Sequence, residues 1–79
     1  MTEEQFLSQI NEFIEEQDGL EILDIDDLLI NSEMDSFSYA FFWAYFESEV
    51  VELGNEYVNG IDYETYTIRD LYREYHERS

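Results

Sequence analysis

The stretch SEMDSFSYAFFWAYFESEV, residues 32–50, decides how this chain folds. Phe37 to Phe46 carry half of all its aromatic side chains, and they follow directly on the pair Asp35-Ser36. Aromatic enrichment alone also fits a strand. The length without a turn residue, and the small pair Ala40/Ala44, favour a helix. The reading is a helix that begins at Asp35 or Ser36 and ends near Leu53-Gly54, with Gly54 as its C-cap. Asp and Ser are the residues that cap a helix start, because a short side-chain oxygen accepts a first-turn N–H.

Upstream, Thr2-Glu3-Glu4-Gln5 has the form of a capping box. Phe6, Ile10, Phe13 and Ile14 then recur at helical spacing. Asp18-Gly19 supplies a stop, with Gly expected to take the left-handed cap. A first helix over about residues 3–17 follows. Residues 19–35 have no clean period. Leu20, Ile22, Leu23, Ile25, Leu28, Leu29 and Ile30 alternate irregularly with acids, so a long loop pinned by its aliphatics is expected, with one short turn at 26–30. Loops of this length inside small domains are often functional.

Downstream, Asn59-Gly60 marks a turn. Asp62 is placed to cap a short helix through about Tyr66. Thr67 opens a last helix with Asp70 three residues on, and Ile68, Leu71, Tyr72 and Tyr75 form its apolar face. The fold class is therefore all-α, a small four-helix bundle of three main helices and one short one, in a single domain over residues 1–79.

Charge is the extreme feature: 21 Asp and Glu against 3 Lys and Arg give a formal net charge of −18. Such a chain repels nucleic acid and anionic membranes, whose phosphates need Lys and Arg. It attracts basic protein partners over long range. With 44% hydrophobic and 18% aromatic residues a packed core is expected despite the charge. Self-repulsion should leave that core firmer in added salt. There is no Cys, so neither disulfides nor thiol chemistry enter. The acidic start MTEEQFLSQI lacks a signal-peptide pattern, and no apolar run approaches a membrane span. A monomeric, cytoplasmic, non-catalytic protein is the expectation.

The order of these elements, together with Met34-Asp35-Ser36-Phe37, the loop residues DDLL and the final YTIRDLY, resembles the acyl carrier protein superfamily. The resemblance covers nearly the whole chain. It implies a four-helix bundle with a long first loop and a short third helix. It also implies that Ser36 carries a covalent 4′-phosphopantetheine arm, derived from coenzyme A, whose thiol holds an acyl or aminoacyl thioester. Asp35 matches the acid before that serine. Phe37 matches the apolar residue after it and is expected to pack inward and aim Ser36. The implied partners are a phosphopantetheinyl transferase and an acyl- or aminoacyl-loading ligase or synthase with a basic, partly apolar docking surface. A helix N-terminus gives a phosphodiester there a favourable place, through unpaired N–H groups and the positive dipole end.

Two departures from the carrier pattern stand out. Carriers usually have a Gly three or four residues before the serine, where this chain has Glu33 and Ser32. The entering loop should then differ in shape or carry a small strain. Carriers also place acids two and five residues after the serine, where this chain has Ser38 and Phe41. Phe37, Ala40, Trp43, Ala44 and Phe46 are assigned to the inward side, which leaves Tyr39, Phe41, Phe42 and Tyr45 in excess. The partner surface is accordingly expected at Ser38, Tyr39, Phe41 and Phe42, with Glu47 and Glu49 as outer steering acids. A core of bulky rings leaves little room for a long acyl chain, which favours short or polar cargo.

A calcium loop starting at Asp24 is rejected, because Leu28 and Leu29 stand where a ligand and the turn glycine belong. His76 is alone near a helix end and reads as a surface or capping residue. Two readings of another class compete with the carrier. One is an acidic inhibitor that mimics DNA; the other is a carrier-like module kept only for protein interaction.

Overall fold

The structure, a computed structural model, describes residues 1–79. It is all-helical: α1 Glu3–Glu16, α2 Ser36–Glu49, α3 Asn55–Asn59 and α4 Ile68–Arg78, with a 3-10 turn at Leu29–Ser32 inside the long first loop. No helix is long and apolar enough to cross a membrane.

Helix α1 starts as its sequence requires. Thr2 Oγ1 accepts from the Gln5 N–H at 3.2 Å, and the Gln5 side chain accepts from the Thr2 N–H at 2.9 Å. The stop differs from expectation in detail. Asp18, not Gly19, takes the left-handed conformation at φ 58. Gly19 is required for space instead: a Cβ there would stand 2.6 Å from Ile14 Cγ2 and 3.0 Å from Met34 Cγ. Helix α4 opens with the second expected capping box, Thr67 and Asp70.

Phe6 is the node of the core. It is fully buried and meets Phe46 of α2 at 6.2 Å between ring centroids and Tyr72 of α4 at 5.0 Å, both edge to face. Ile10, Phe13 and Ile14 extend the same stripe of α1 against Phe42 and the loop aliphatics Ile22, Ile25 and Leu29. Helix α1 thus lies against both α2 and α4. Edge-to-face ring pairs of this kind contribute about 0.5–1.5 kcal/mol each beyond the burial of their area.

The long loop is held by polar contacts that hydrophobic patterning does not encode. Asn11 clamps Ile22 on both sides, accepting its N–H at 2.8 Å and donating to its carbonyl at 2.9 Å. The loop is then stitched to the start of α4. Leu29 N–H donates to Tyr66 O, Ile68 N–H to Asp27 O and Arg69 N–H to Ile25 O, at 2.7–3.1 Å. Arg69 adds ion pairs to Glu3 and Asp26, joining α1, the loop and α4 on the surface. In place of the one turn expected at 26–30 the loop has two: a turn at 24–27, closed by the Asp27 N–H on Asp24 O at 3.0 Å, and the 3-10 turn at Leu29–Ser32.

The second half of the chain corrects two boundaries. Helix α2 ends at Glu49, and Gly54 does not cap it. Gly54, at φ 91, instead precedes α3 in a conformation that only glycine adopts cheaply. Beyond that end the Glu47 carboxylate accepts from the N–H groups of Leu53 and Gly54, both at 2.9 Å, and ties the segment after α2 back to the helix. The short helix is Asn55–Asn59, and residues 62–66 form only a turn, closed by the Thr65 N–H on Asp62 O. Asp62 spends its side chain on the Glu64 N–H inside that turn.

Candidate functional site: the start of helix α2

Asp35 caps α2. Its backbone is extended, and its carboxylate accepts from the Ser38 N–H at 2.8 Å. That N–H is the main reason the Asp35 carboxyl is held below the ordinary carboxylate range. Ser36 is therefore the first helical residue rather than the cap, and it is exposed. Its hydroxyl has no structural duty at the helix start, because Asp35 performs it. The N–H groups of Ser36 and Phe37 precede the first intrahelical bond, and that of Phe37 also helps to lower the Asp35 carboxyl.

A phosphodiester on the Ser36 oxygen fits this arrangement on two observations: the hydroxyl is open to solvent, and it sits in the first turn of a 14-residue helix. One feature opposes it. Asp35 and Glu33 are both exposed nearby in sequence, and residues 2–68 contain no Lys or Arg to offset a phosphate. The helix end alone must supply the compensating positive charge.

An open groove of about 430 Å³ runs beside the serine, lined by Ile30, Met34, Asp35, Ser36, Tyr39 and Tyr63. Tyr39 and Tyr63 close its floor with ring centroids 4.8 Å apart, and Tyr63 Oη accepts from the Trp43 indole N–H at 3.0 Å. The Tyr39 hydroxyl is buried without a partner in hydrogen-bonding geometry. Burial pushes that phenol up; the Ser32 hydroxyl offsets only part of the effect, being committed to Leu29 O at 2.8 Å. A recess lined by Ser8, Asn11, Glu12, Glu15 and Glu21 lies away from Ser36, between α1 and the loop, and is polar.

The loop into the site is strained where the carrier pattern carries glycine. Glu33 sits at φ 56, ψ 32, left-handed, and its N–H donates to Ile30 O at the end of the 3-10 turn. A non-glycine residue there costs about 1–2 kcal/mol.

The expected partner surface is regrouped. Phe42 is fully buried, against Phe13 and Trp43, and belongs to the core. Glu47 is turned onto the Leu53 and Gly54 backbone and is structural. Tyr39 is half-buried against Tyr63, and Ser38 is half-buried with its N–H on Asp35. Phe41 and Glu49 are exposed, as expected. Phe37 does not pack inward: it is 81% exposed, so it does not fix the direction of the serine, and the helix start is held by the Asp35 cap. Ala40 and Ala44 are exposed as well, whereas Trp43 and Phe46 are core.

The reason is one rotation of the helix. Its buried side is centred on Phe42 and Phe46, so the opposite side presents Phe37, Ala40, Phe41, Ala44 and Tyr45. Sequence reasoning assigned Phe37 to the inward side, and it left Tyr45 outside the core without placing it on the partner surface. Their signal was the i, i+4, i+8 spacing Phe37-Phe41-Tyr45, which is as helical as the spacing of the buried pair Phe42-Phe46.

His76 is exposed and stands edge-on to Tyr72 at 4.5 Å, which fits its surface reading. No cluster of metal-ligating side chains occurs. No family model, curated protein or solved structure matches this chain. What fold and site define together is a small acidic four-helix bundle that presents one uncommitted hydroxyl at the start of its second helix.

Proposed function

We propose that the chain is a carrier protein, which holds an acyl or aminoacyl group as a thioester on a 4′-phosphopantetheine arm attached to Ser36. The observation that carries the reading is the division of labour at the helix start: Asp35 caps α2, and Ser36 projects an exposed hydroxyl from the next position. A serine kept only as a cap would hold the Asp35 position. The element order supports the same reading, with a long pinned loop before α2 and a short α3 after it.

Attachment requires that the Ser36 oxygen attack the β-phosphorus of coenzyme A. One P–O bond forms, the pyrophosphate bond breaks, and adenosine 3′,5′-bisphosphate leaves. The hydroxyl proton passes to a base of the transferase, since no base of this chain contacts Ser36. The chain's own part is to hold the hydroxyl at the end of a rigid element and to set the first-turn N–H groups beside the phosphate. Once bound, the arm supplies a thiol for the thioester. The filled core, with Phe42, Trp43 and Phe46 all buried, favours cargo that stays short or lies along the outer groove.

The test is intact mass after incubation with coenzyme A and a broad-specificity phosphopantetheinyl transferase. One phosphopantetheine should be gained by the wild type and none by Ser36→Ala. No gain with several transferases would move the assignment to the competing reading, an acidic interaction module that is never modified.

A further inference from the structure

We infer that the seam between α1 and the first loop is a docking trough for an extended segment of a partner protein, one that carries Lys or Arg on both sides of an apolar side chain seated against Leu23. Three recesses of about 200, 280 and 280 Å³ follow one another along α1. The first two share Glu4, Leu7 and Leu23, and the last two share Ser8, Asn11 and Glu21, so they form one trough. From Glu4 to Glu15 it follows α1 for about 17 Å, the length of about five extended residues. It has no residue in common with the groove beside Ser36. Its apolar point is Leu23, which is 80% exposed although Ile22 and Ile25 on the same segment are buried. The backbone beneath it is held, because Asn11 takes both the N–H and the carbonyl of Ile22. Leu23 thus stands in a fixed place between two recesses, each also lined by the half-buried Leu7.

Charge decides what occupies the trough. Glu4, Glu15 and Glu21 line it with exposed carboxylates that meet no cation of this chain. Glu3, at one end, is the only trough acid that an arginine neutralises. All three arginines lie on α4, and each is already paired, Arg69 with Glu3 and Asp26, Arg73 with Asp70, Arg78 with Glu74. The trough acids are spread along α1 and the loop and form no metal-ligating cluster, so a point cation does not answer them. A polyamine would answer the acids and leave Leu23 in water. A second copy would bring its own net charge of −18 and no free arginine, so self-association is disfavoured. A peptide segment with basic side chains around an apolar one satisfies the acids and Leu23 together.

The binding is measured on the unmodified protein, so the mass test at Ser36 does not bear on it. The probes are two peptides of about eight residues, with Lys on both sides of a central Leu-Leu in one and of Ser-Ser in the other. In about 0.15 M NaCl, where long-range attraction is screened, the Leu peptide should bind about tenfold tighter or better. The amide NMR shifts it causes should concentrate on residues 3–15 and 19–25, and those caused by the Ser peptide should spread over the acidic surface. Leu23→Ser, whose side chain lies outside the core, should abolish the preference, and Ser36→Ala should keep it. The pair Glu4→Gln/Glu21→Gln should weaken the Leu peptide about two- to tenfold. Glu56→Gln/Glu64→Gln, the same charge change at exposed acids outside the trough, should weaken it less. Equal affinity for the two peptides, a preference that survives Leu23→Ser, or equal weakening by the two glutamate pairs overturns the inference. Spermine that binds as tightly as the Leu peptide and shifts the same residues overturns it too, with a polyamine as occupant. Sedimentation as a dimer that Leu23→Ser dissociates likewise overturns it, with a second copy as occupant.

Discussion

Glu33, Asp35 and Ser36 divide three tasks within four residues. Asp35 takes the capping bond, Ser36 is left uncommitted, and Glu33 absorbs the backbone reversal that aims both. Glu33 is the costly member. In the left-handed region a side chain costs about 1–2 kcal/mol, whereas glycine adopts that conformation freely and loses about 0.5–1 kcal/mol of unfolded-state entropy. Glu33→Gly should therefore stabilise the protein by up to about 1 kcal/mol, read as a higher thermal midpoint, with α2 unchanged. A lower midpoint would mean that the Glu33 side chain makes a contribution larger than its strain. The substituted position was legible in the sequence as the place where glycine is missing. A small strain was one of the two outcomes expected there; that Glu33 rather than Ser32 bears it was decided by the packed loop.

Among the elements, α3 depends most on its neighbours. It has five residues and none of them is buried. Two polar arrangements hold it in place. Glu47 reaches from α2 to the N–H groups of Leu53 and Gly54, and Tyr57 Oη meets Tyr66 Oη at 2.8 Å. Leu53 is almost fully buried, so its N–H cannot turn to water if the carboxylate is removed. Glu47→Ala should cost about 1–3 kcal/mol. It should also speed amide exchange at Leu53, Gly54 and through α3 while α1 stays protected. An exchange pattern that rises uniformly in all helices would show that Glu47 acts on global stability and does not anchor the loop. Glu47 reads in sequence as one more surface acid of an acidic protein. Only the packed segment after α2 gives it a different role.

At the scale of the molecule, net charge outweighs local pairing. Four ion pairs stand against a formal charge of −18, so salt should screen more repulsion than attraction. The melting temperature should rise between about 0.01 and 0.5 M NaCl, as the Debye length falls from about 30 Å to well under 10 Å. A falling midpoint would mean that the Arg69 junction dominates. The pH dependence has the opposite limit. The Asp35 and Asp26 carboxyls are held below the ordinary carboxylate value, Asp35 by the Ser38 N–H and Asp26 by Arg69. Depressed carboxyls contribute in full above that value, and the contribution disappears as pH falls through their lower folded values. Acid unfolding should therefore begin below about pH 4, and in Asp35→Asn it should begin with less to lose.

The sequence by itself determined the helices whose ends are capped by their own residues, α1 and α4. It also determined their buried stripes and the placement of Ser36 at the head of the aromatic helix. Those signals are local: a hydroxyl or carboxylate three residues from the N–H it accepts, and one apolar face in each helix. Tertiary structure alone decided which way α2 faces. Its aromatics occupy both sides, so the 3.6-residue period is satisfied by two opposite rotations. Contact with Phe6 and Phe13 of α1 selects Phe42 and Phe46 for the core and leaves Phe37, Phe41 and Tyr45 outside. The polar clamps at Asn11 and Glu47 are of the same kind. Each joins atoms that only the packed chain brings together, which is why no spacing in the sequence announces them.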